Sequence, residues 1–150
     1  MRALITGITG FVGSHLADFL LENTDWEIHG LIRWRSPLDN IEGILGNERM
    51  RFHYGDLRDE GSLARCVRSA KPDYVFHLAA QSYPMTSFDA PIDTIETNVQ
   101  GTCRLLEALR EHAKDAIIHI CSSSEVYGRV PKDMIPINED CRFHPASPYA

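Results

Sequence analysis

Three glycines spaced Gly7-x-x-Gly10-x-x-Gly13 follow the apolar run Ala3-Leu4-Ile5 and open an amphipathic stretch that continues through Leu21. A strand that enters closely spaced glycines and then a helix leaves free N–H groups and a positive helix end facing one point. The chemistry this suits is the binding of a phosphate. Gly7 permits the tight turn, Gly10 lets the backbone approach a pyrophosphate, and Gly13 lets the helix lie close on its strand. The spacing is one residue wider at the start than the common dinucleotide fingerprint, and an ordinary turn is the alternative reading. A second group, Ser122-Ser123-Ser124-Glu125-Val126-Tyr127-Gly128, ends a late apolar run. It supplies hydroxyls and a carboxylate for proton transfer, or else a polar strand end with a turn cap.

Two further positions bear on which nucleotide the glycines would hold. Arg33 lies twenty residues after Gly13, where an acid would bind a ribose 2′-hydroxyl and a base suits a 2′-phosphate. A guanidinium contacts phosphate in bidentate fashion, and Arg35 and Ser36 could add to it, so NADP is favoured over NAD; two solvated arginines are the alternative. Asp56, in Gly55-Asp56-Leu57, could accept from an adenine amine with Leu57 against the ring, or could cap a turn.

These residues need elements to position them, and strand and helix patterns alternate throughout. Strands are expected at 3–5, 27–32, 50–54, 73–78 and 116–121, and Leu63, Cys66, Val67 and Ala70 recur at helical spacing before Lys71-Pro72. The run 73–78 is almost wholly apolar, as a central parallel strand covered on both faces would be. It opens into Ala79-Ala80-Gln81-Ser82, where small side chains leave room for a cofactor, and the loop from Gln81 to Pro91 should border the site. Ile92, Ile95, Val99, Leu105, Leu106 and Leu109 mark one long helix, interrupted at Asn98, which either ties the helix to a neighbouring loop or is simply exposed. The fold class is therefore α/β, a doubly wound parallel sheet of Rossmann type, with ligands beyond the carboxyl ends of the strands.

Composition narrows the possibilities. The chain of 150 residues is one domain's worth, and its formal charge of -6 disfavours nucleic acid or an anionic membrane as a partner. No apolar run is long enough to span a bilayer and the chain enters a strand at once, which points to the cytoplasm. Cys66, Cys103, Cys121 and Cys141 are widely separated and are expected to be free, mostly buried thiols. His29, His53, His77 and His119 fall inside four different strands and read as structural, with no metal site.

Taken together, TGITGFVG at 6–13, GDL at 55–57, HLAAQS at 77–82, SSSEVYG at 122–128 and SPY at 147–149 resemble the extended short-chain dehydrogenase/reductase family. Within it the likeness is to the nucleotide-sugar enzymes, and HGLIRWRS, RFHYGDLRD and LAAQSYPMTSFDAP read like the GDP-mannose 4,6-dehydratase branch. The resemblance implies a lyase that removes water from a nucleotide sugar by internal hydride transfer through NADP, and a homo-oligomer. By match of motif, Ser123 takes the Ser/Thr role, Glu125 the dehydratase base and Tyr149 the tyrosine base. A Lys would follow four residues after Tyr149, past Ala150. Thr9, Phe11, Val12, Leu78, Ala79, Ala80 and Ser82 would join the cofactor contacts, and Ser87 and Ser124 the substrate contacts. Relatives are about twice this length, their later half forming the sugar pocket, so the chain reads as an N-terminal part. Thr97-Asn98-Val99-Gln100-Gly101-Thr102 instead resembles the family's epimerases and reductases, which keeps those activities as alternatives. A non-catalytic NADP-binding regulator is the alternative outside the enzyme class.

Overall fold

A computed structural model describes residues 1–150. Five parallel strands, β1 (Arg2–Thr6), β2 (Glu27–Ile32), β3 (Met50–Tyr54), β4 (Tyr74–His77) and β5 (Ile117–Ile120), form one sheet in the order β3-β2-β1-β4-β5. The β1 register pairs Ile5 with Gly30 on one side and with Phe76 on the other. All five expected strands are present, and the doubly wound parallel class is the one observed.

Alternation along the strands divides the core between the two faces. Ala3, Ile5, Ile28 and Ile32 pack with Ala17, Leu20 and Leu21 of α1 (Phe11–Asn23) and with Ile41 and Ile44 of a 3₁₀ turn, Asp39–Ile44. Leu4, Leu31 and Val75 point the other way, onto Leu63, Cys66 and Val67 of α2 (Glu60–Ala70) and Leu105, Ala108 and Leu109 of α5 (Gly101–His112). Each such fully buried aliphatic side chain contributes about 1.5–3 kcal/mol. Local signals set the helix ends. Arg49 donates to the carbonyls of Leu21 in α1 and of Thr24, which caps its C-terminus, both at 2.5 Å, and the Asp59 carboxylate caps α2 through Gly61 N at 3.1 Å.

The expected single helix over 92–109 is three pieces: α4 (Pro91–Ile95), a π-helical turn (Glu96–Gln100) and α5, preceded by the short α3 (Thr86–Asp89). The wider turn shifts the helical phase, so Ile92, Ile95, Val99 and Leu106 are exposed while Thr94, Leu105 and Leu109 are buried. Asn98 sits in the turn and ties it to the loop after β4, the first of its two alternatives. The thiols are all free, but only Cys66 and Cys141 are buried. Cys103 is on the outward side of α5 and Cys121 just past β5, an exposed edge strand, which corrects the expectation of mostly buried thiols. No helix is long and apolar enough to cross a membrane.

Candidate active-site crevice

β1 and β4 are sheet neighbours whose paired residues are 71 apart in sequence, and the chain leaves them towards opposite faces. A crevice opens at this switch point, beyond the carboxyl ends of the strands. Its two cavities of about 520 Å³ each share Gly7, Gly10, Leu78, Ala79, Ala80 and Ser82. Gly7 makes the junction possible: its φ is +73°, and a Cβ there would lie 2.8 Å from Ala79 N. No side chain caps α1, and the N–H groups of Phe11, Val12 and Gly13 make no hydrogen bond within the chain.

The first cavity runs past Thr9 to Arg33 and Ser36 at the end of β2, and to Asp56 and Leu57 at the end of β3. The turn carrying Arg33 is closed by Ser36 N donating to Arg33 O at 3.0 Å, and Trp34 stacks on Tyr54 with ring centroids 6.2 Å apart. Asp56 Oδ1 accepts from Arg58 N at 2.9 Å and Nε at 3.4 Å, so this carboxylate does cap a turn. Burial opposes its charge, but the Arg58 hydrogen bonds and the positive Arg58 and Arg33 outweigh it and hold its pKa below the usual carboxylate value. Arg58 also reaches Asp93 at 3.0 Å, fastening the β3 exit to α4. Sequence reasoning passed over Arg58, Asp93 and Thr97, which line this cavity. The one available signal was the base two residues after Asp56.

The second cavity is bordered by Phe11, Val12 and Gly13, by Ser122, Ser123 and Val126 after β5, and by Tyr149. Ser123 caps a 3₁₀ turn, Ser124–Tyr127, its Oγ accepting from Glu125 N at 3.2 Å. The chain then returns: His144 N donates to Val126 O at 2.8 Å, and Tyr127 meets Phe143 edge-on, which carries Tyr149 back to the crevice. Glu125 and Ser124 are exposed on the turn and, like Arg35, lie outside the lining of both cavities. Ser87 is a correction. It is fully buried, and its hydroxyl donates to Pro84 O at 2.6 Å, so it closes the turn into α3 and does not face the crevice.

The strand order and the glycine junction at its switch point define the class, a Rossmann-type α/β protein of the short-chain dehydrogenase/reductase kind. The model of the GDP-mannose 4,6 dehydratase family matches residues 4–150, and the chain belongs to that family. It is 42% identical over 158 residues to GDP-mannose 4,6 dehydratase of Drosophila melanogaster, covering 99% of this chain and 39% of that protein. With GDP-mannose 4,6 dehydratase 1 of Arabidopsis thaliana it is 44% identical over 161 residues, covering 99% and 43%. Among solved structures it is similar to DesIV of Streptomyces venezuelae, a dTDP-glucose 4,6-dehydratase with NAD and TYD bound (TM-score 0.87, 34% identity, 99% of this chain and 47% of that one). It is also similar to RMD of Pseudomonas aeruginosa complexed with NADPH (TM-score 0.77, 33% identity, 99% and 43%). The chain spans about two-fifths of the length of the curated relatives it matches.

Proposed function

We propose that this chain carries the cofactor-binding and acid–base groups of an NADP-dependent nucleotide-sugar 4,6-dehydratase acting on GDP-mannose. The reading rests on one observation: the glycine junction, Ser123 and Tyr149 border a single crevice. The residues fit a dinucleotide. Three unpaired N–H groups open α1, and a Cβ at Gly10 would have only Gly7 O, at 3.2 Å, within contact distance, which leaves open space for a pyrophosphate. Arg33 and Ser36 would receive a 2′-phosphate, and no acid stands there to favour NAD.

When bound, NADP supplies a hydride acceptor and later the hydride donor, so the reaction needs no net reductant. Tyr149 takes the proton of the sugar 4-hydroxyl, and Ser123 donates a hydrogen bond to the C4 oxygen as it becomes a carbonyl. The ketone acidifies the C5 proton. Glu125, on the exposed turn two residues past Ser123, takes that proton and hands it to the C6 hydroxyl, which leaves as water, and the proton held by Tyr149 returns to C5. The small residues Ala79 and Ala80 leave the crevice floor free for the ring that faces these groups.

The test uses the whole polypeptide with GDP-mannose and a trace of NADP. A 4-keto-6-deoxy product formed without reductant is expected, and Tyr149→Phe should slow its formation by about 10²- to 10⁴-fold. Unchanged turnover in that variant would remove the catalytic assignment. A reductase or epimerase is the second reading, favoured by the 97–102 stretch and by likeness to a UDP-glucose 4-epimerase of Thermotoga maritima (TM-score 0.86, 31% identity). Strict dependence on NADPH, or interconversion of C4 epimers, would select it. For the cofactor, Arg33→Asp should lower the preference for NADP over NAD by about 10- to 100-fold, the worth of one charge-assisted hydrogen bond. An unchanged ratio would refute the Arg33 assignment.

A further inference from the structure

A chain of hydrogen bonds runs from the end of β1 to the π-helical turn, and proton counting fixes its direction. Thr6 Oγ1 receives the N–H groups of Leu78 and Ala79, each at 3.2 Å. A hydroxyl has one proton to give, and here it goes to His77 Nδ1, 2.7 Å away. The ring proton must therefore sit on Nε2, which donates to Thr102 Oγ1 at 2.9 Å. Thr102 donates in turn to the main-chain carbonyl of Asn98 at 2.6 Å. The Asn98 side chain then grips both main-chain polar groups of one residue: Oδ1 accepts from Gln81 N at 2.8 Å and Nδ2 donates to Gln81 O at 2.9 Å. Gln81 follows Ala80 on the crevice floor, and its own amide is spent on Tyr83 O and Thr94 Oγ1, both at 3.1 Å.

Both nitrogens of His77 are thus engaged, and the ring, 4% exposed, has no hydrogen bond left for a ligand. What it determines is where its neighbours sit. We propose that His77 is a positioning residue for dinucleotide binding, acting through Thr102 and Asn98 to fix the Leu78–Ser82 floor that both halves of the crevice share. The proposal rests on the reading of the crevice as a dinucleotide site. Burial pushes the His77 pKa down to about 4, so the ring stays neutral and the single proton order holds at neutral pH. The π-helical turn belongs to the same device, because Asn98 lies within it and Thr102 just after it.

The experiment compares Thr102→Ser, which keeps the hydroxyl, with Thr102→Val, which removes it at nearly constant volume. In the whole polypeptide, NADPH affinity is measured by fluorescence titration, the unfolding midpoint by urea, and the His77 tautomer by ¹⁵N NMR of labelled histidine. Thr102→Ser should stay within about twofold of the parent, and Thr102→Val should bind NADPH about tenfold more weakly, with the Nε2–H tautomer kept by Thr6 but its ¹⁵N shift moved by loss of the acceptor. Asn98→Asp removes the last link, the donor to Gln81 O, and should weaken NADPH to a similar degree; His77→Phe, which keeps a ring there but breaks both of its hydrogen bonds, should do the same and carries the test if Thr102→Val does not fold. A lowered midpoint with unchanged NADPH affinity in these variants would make the chain purely structural and overturn the proposal, leaving the dinucleotide reading intact. Failure of the parent to bind either NADPH or NADH would overturn that reading and the proposal together.

Discussion

Replacing Gly13 by alanine tests the junction on which the crevice depends. Alanine is intrinsically better than glycine inside a helix by roughly 0.5–1 kcal/mol, so on propensity alone the change should stabilise α1. The surroundings reverse the sign. The added Cβ would press on Gly7 O and lie 2.7 Å from Ile8 Cα and 2.9 Å from Gly7 C, all of them main chain that cannot rotate aside. Overpacking of this kind costs about 1–3 kcal/mol, and the rigid Gly7–Ile8 peptide puts it at the upper end. The net expectation is a loss of about 2 kcal/mol, which for a urea m-value of roughly 1–3 kcal/mol/M lowers the midpoint by roughly 0.7–2 M. Relief can come only by α1 sliding off β1, which moves the free N–H groups of Phe11 and Val12, so NADPH affinity should fall as well. Gly43→Ala is the control, since nothing lies within 4 Å of its missing Cβ, and it should change stability by no more than about 0.5 kcal/mol. Urea midpoints and NADPH titrations of parent and both variants decide the matter. If Gly13→Ala matches the parent in both, the close approach of α1 to β1 is not what holds the junction.

Two other expectations follow from buried groups and the late turn. With a folded pKa of about 4 against an ordinary 6.5, His77 leaves the unfolded chain binding a proton that the folded chain refuses; stability should be full above pH 6.5 and fall towards pH 4 by roughly 3 kcal/mol. His29 and His53, lowered chiefly by burial, act in the same direction, and urea midpoints that stay level from pH 7 to pH 4.5 would refute the account. Gly128 has φ +58°, and a Cβ there would strike His144 O in the segment that leads to Tyr149. Gly128→Ala should therefore cut turnover by more than about tenfold while NADPH affinity stays within about twofold; unchanged turnover would detach Tyr149 from this turn.

The sheet was legible in the sequence because central parallel strands are continuous apolar runs, and the glycine junction because its spacing has a steric cause. The helix after Pro91 was less so. Ile92, Ile95 and Val99 follow a helical period, yet one extra residue in the π-helical turn rotates them away from the face that buries Leu105 and Leu109. That turn is held by Asn98 gripping Gln81, 17 residues earlier in the chain, and by His77, 25 residues from Thr102. Arg58 and Asp93 were missed for the same reason, since an ion pair spanning 35 residues leaves no local pattern. Ser87 shows the reverse error: a hydroxyl in a loop expected to border the site is consumed by its own turn.

On the proposed reading, the strand order also predicts that cofactor choice and acid–base chemistry can be altered separately. Arg33 lies just beyond β2, and Ser123 just beyond β5; in the order β3-β2-β1-β4-β5 these strands are three steps apart, about 14 Å at the usual spacing. The glycine junction follows β1, between them, so a dinucleotide anchored there by its pyrophosphate must send its adenosine half towards β2 and β3 and its reactive half towards β4 and β5. The two ends share no side chain: Arg33, Ser36 and Asp56 line one cavity, Ser123 and Tyr149 the other. What they do share is the floor from Leu78 to Ser82, the segment tied to Thr6 through Leu78 N and Ala79 N and to Asn98 through Gln81. Changes at the ends should therefore act independently of each other, whereas a change in the floor should be felt at both.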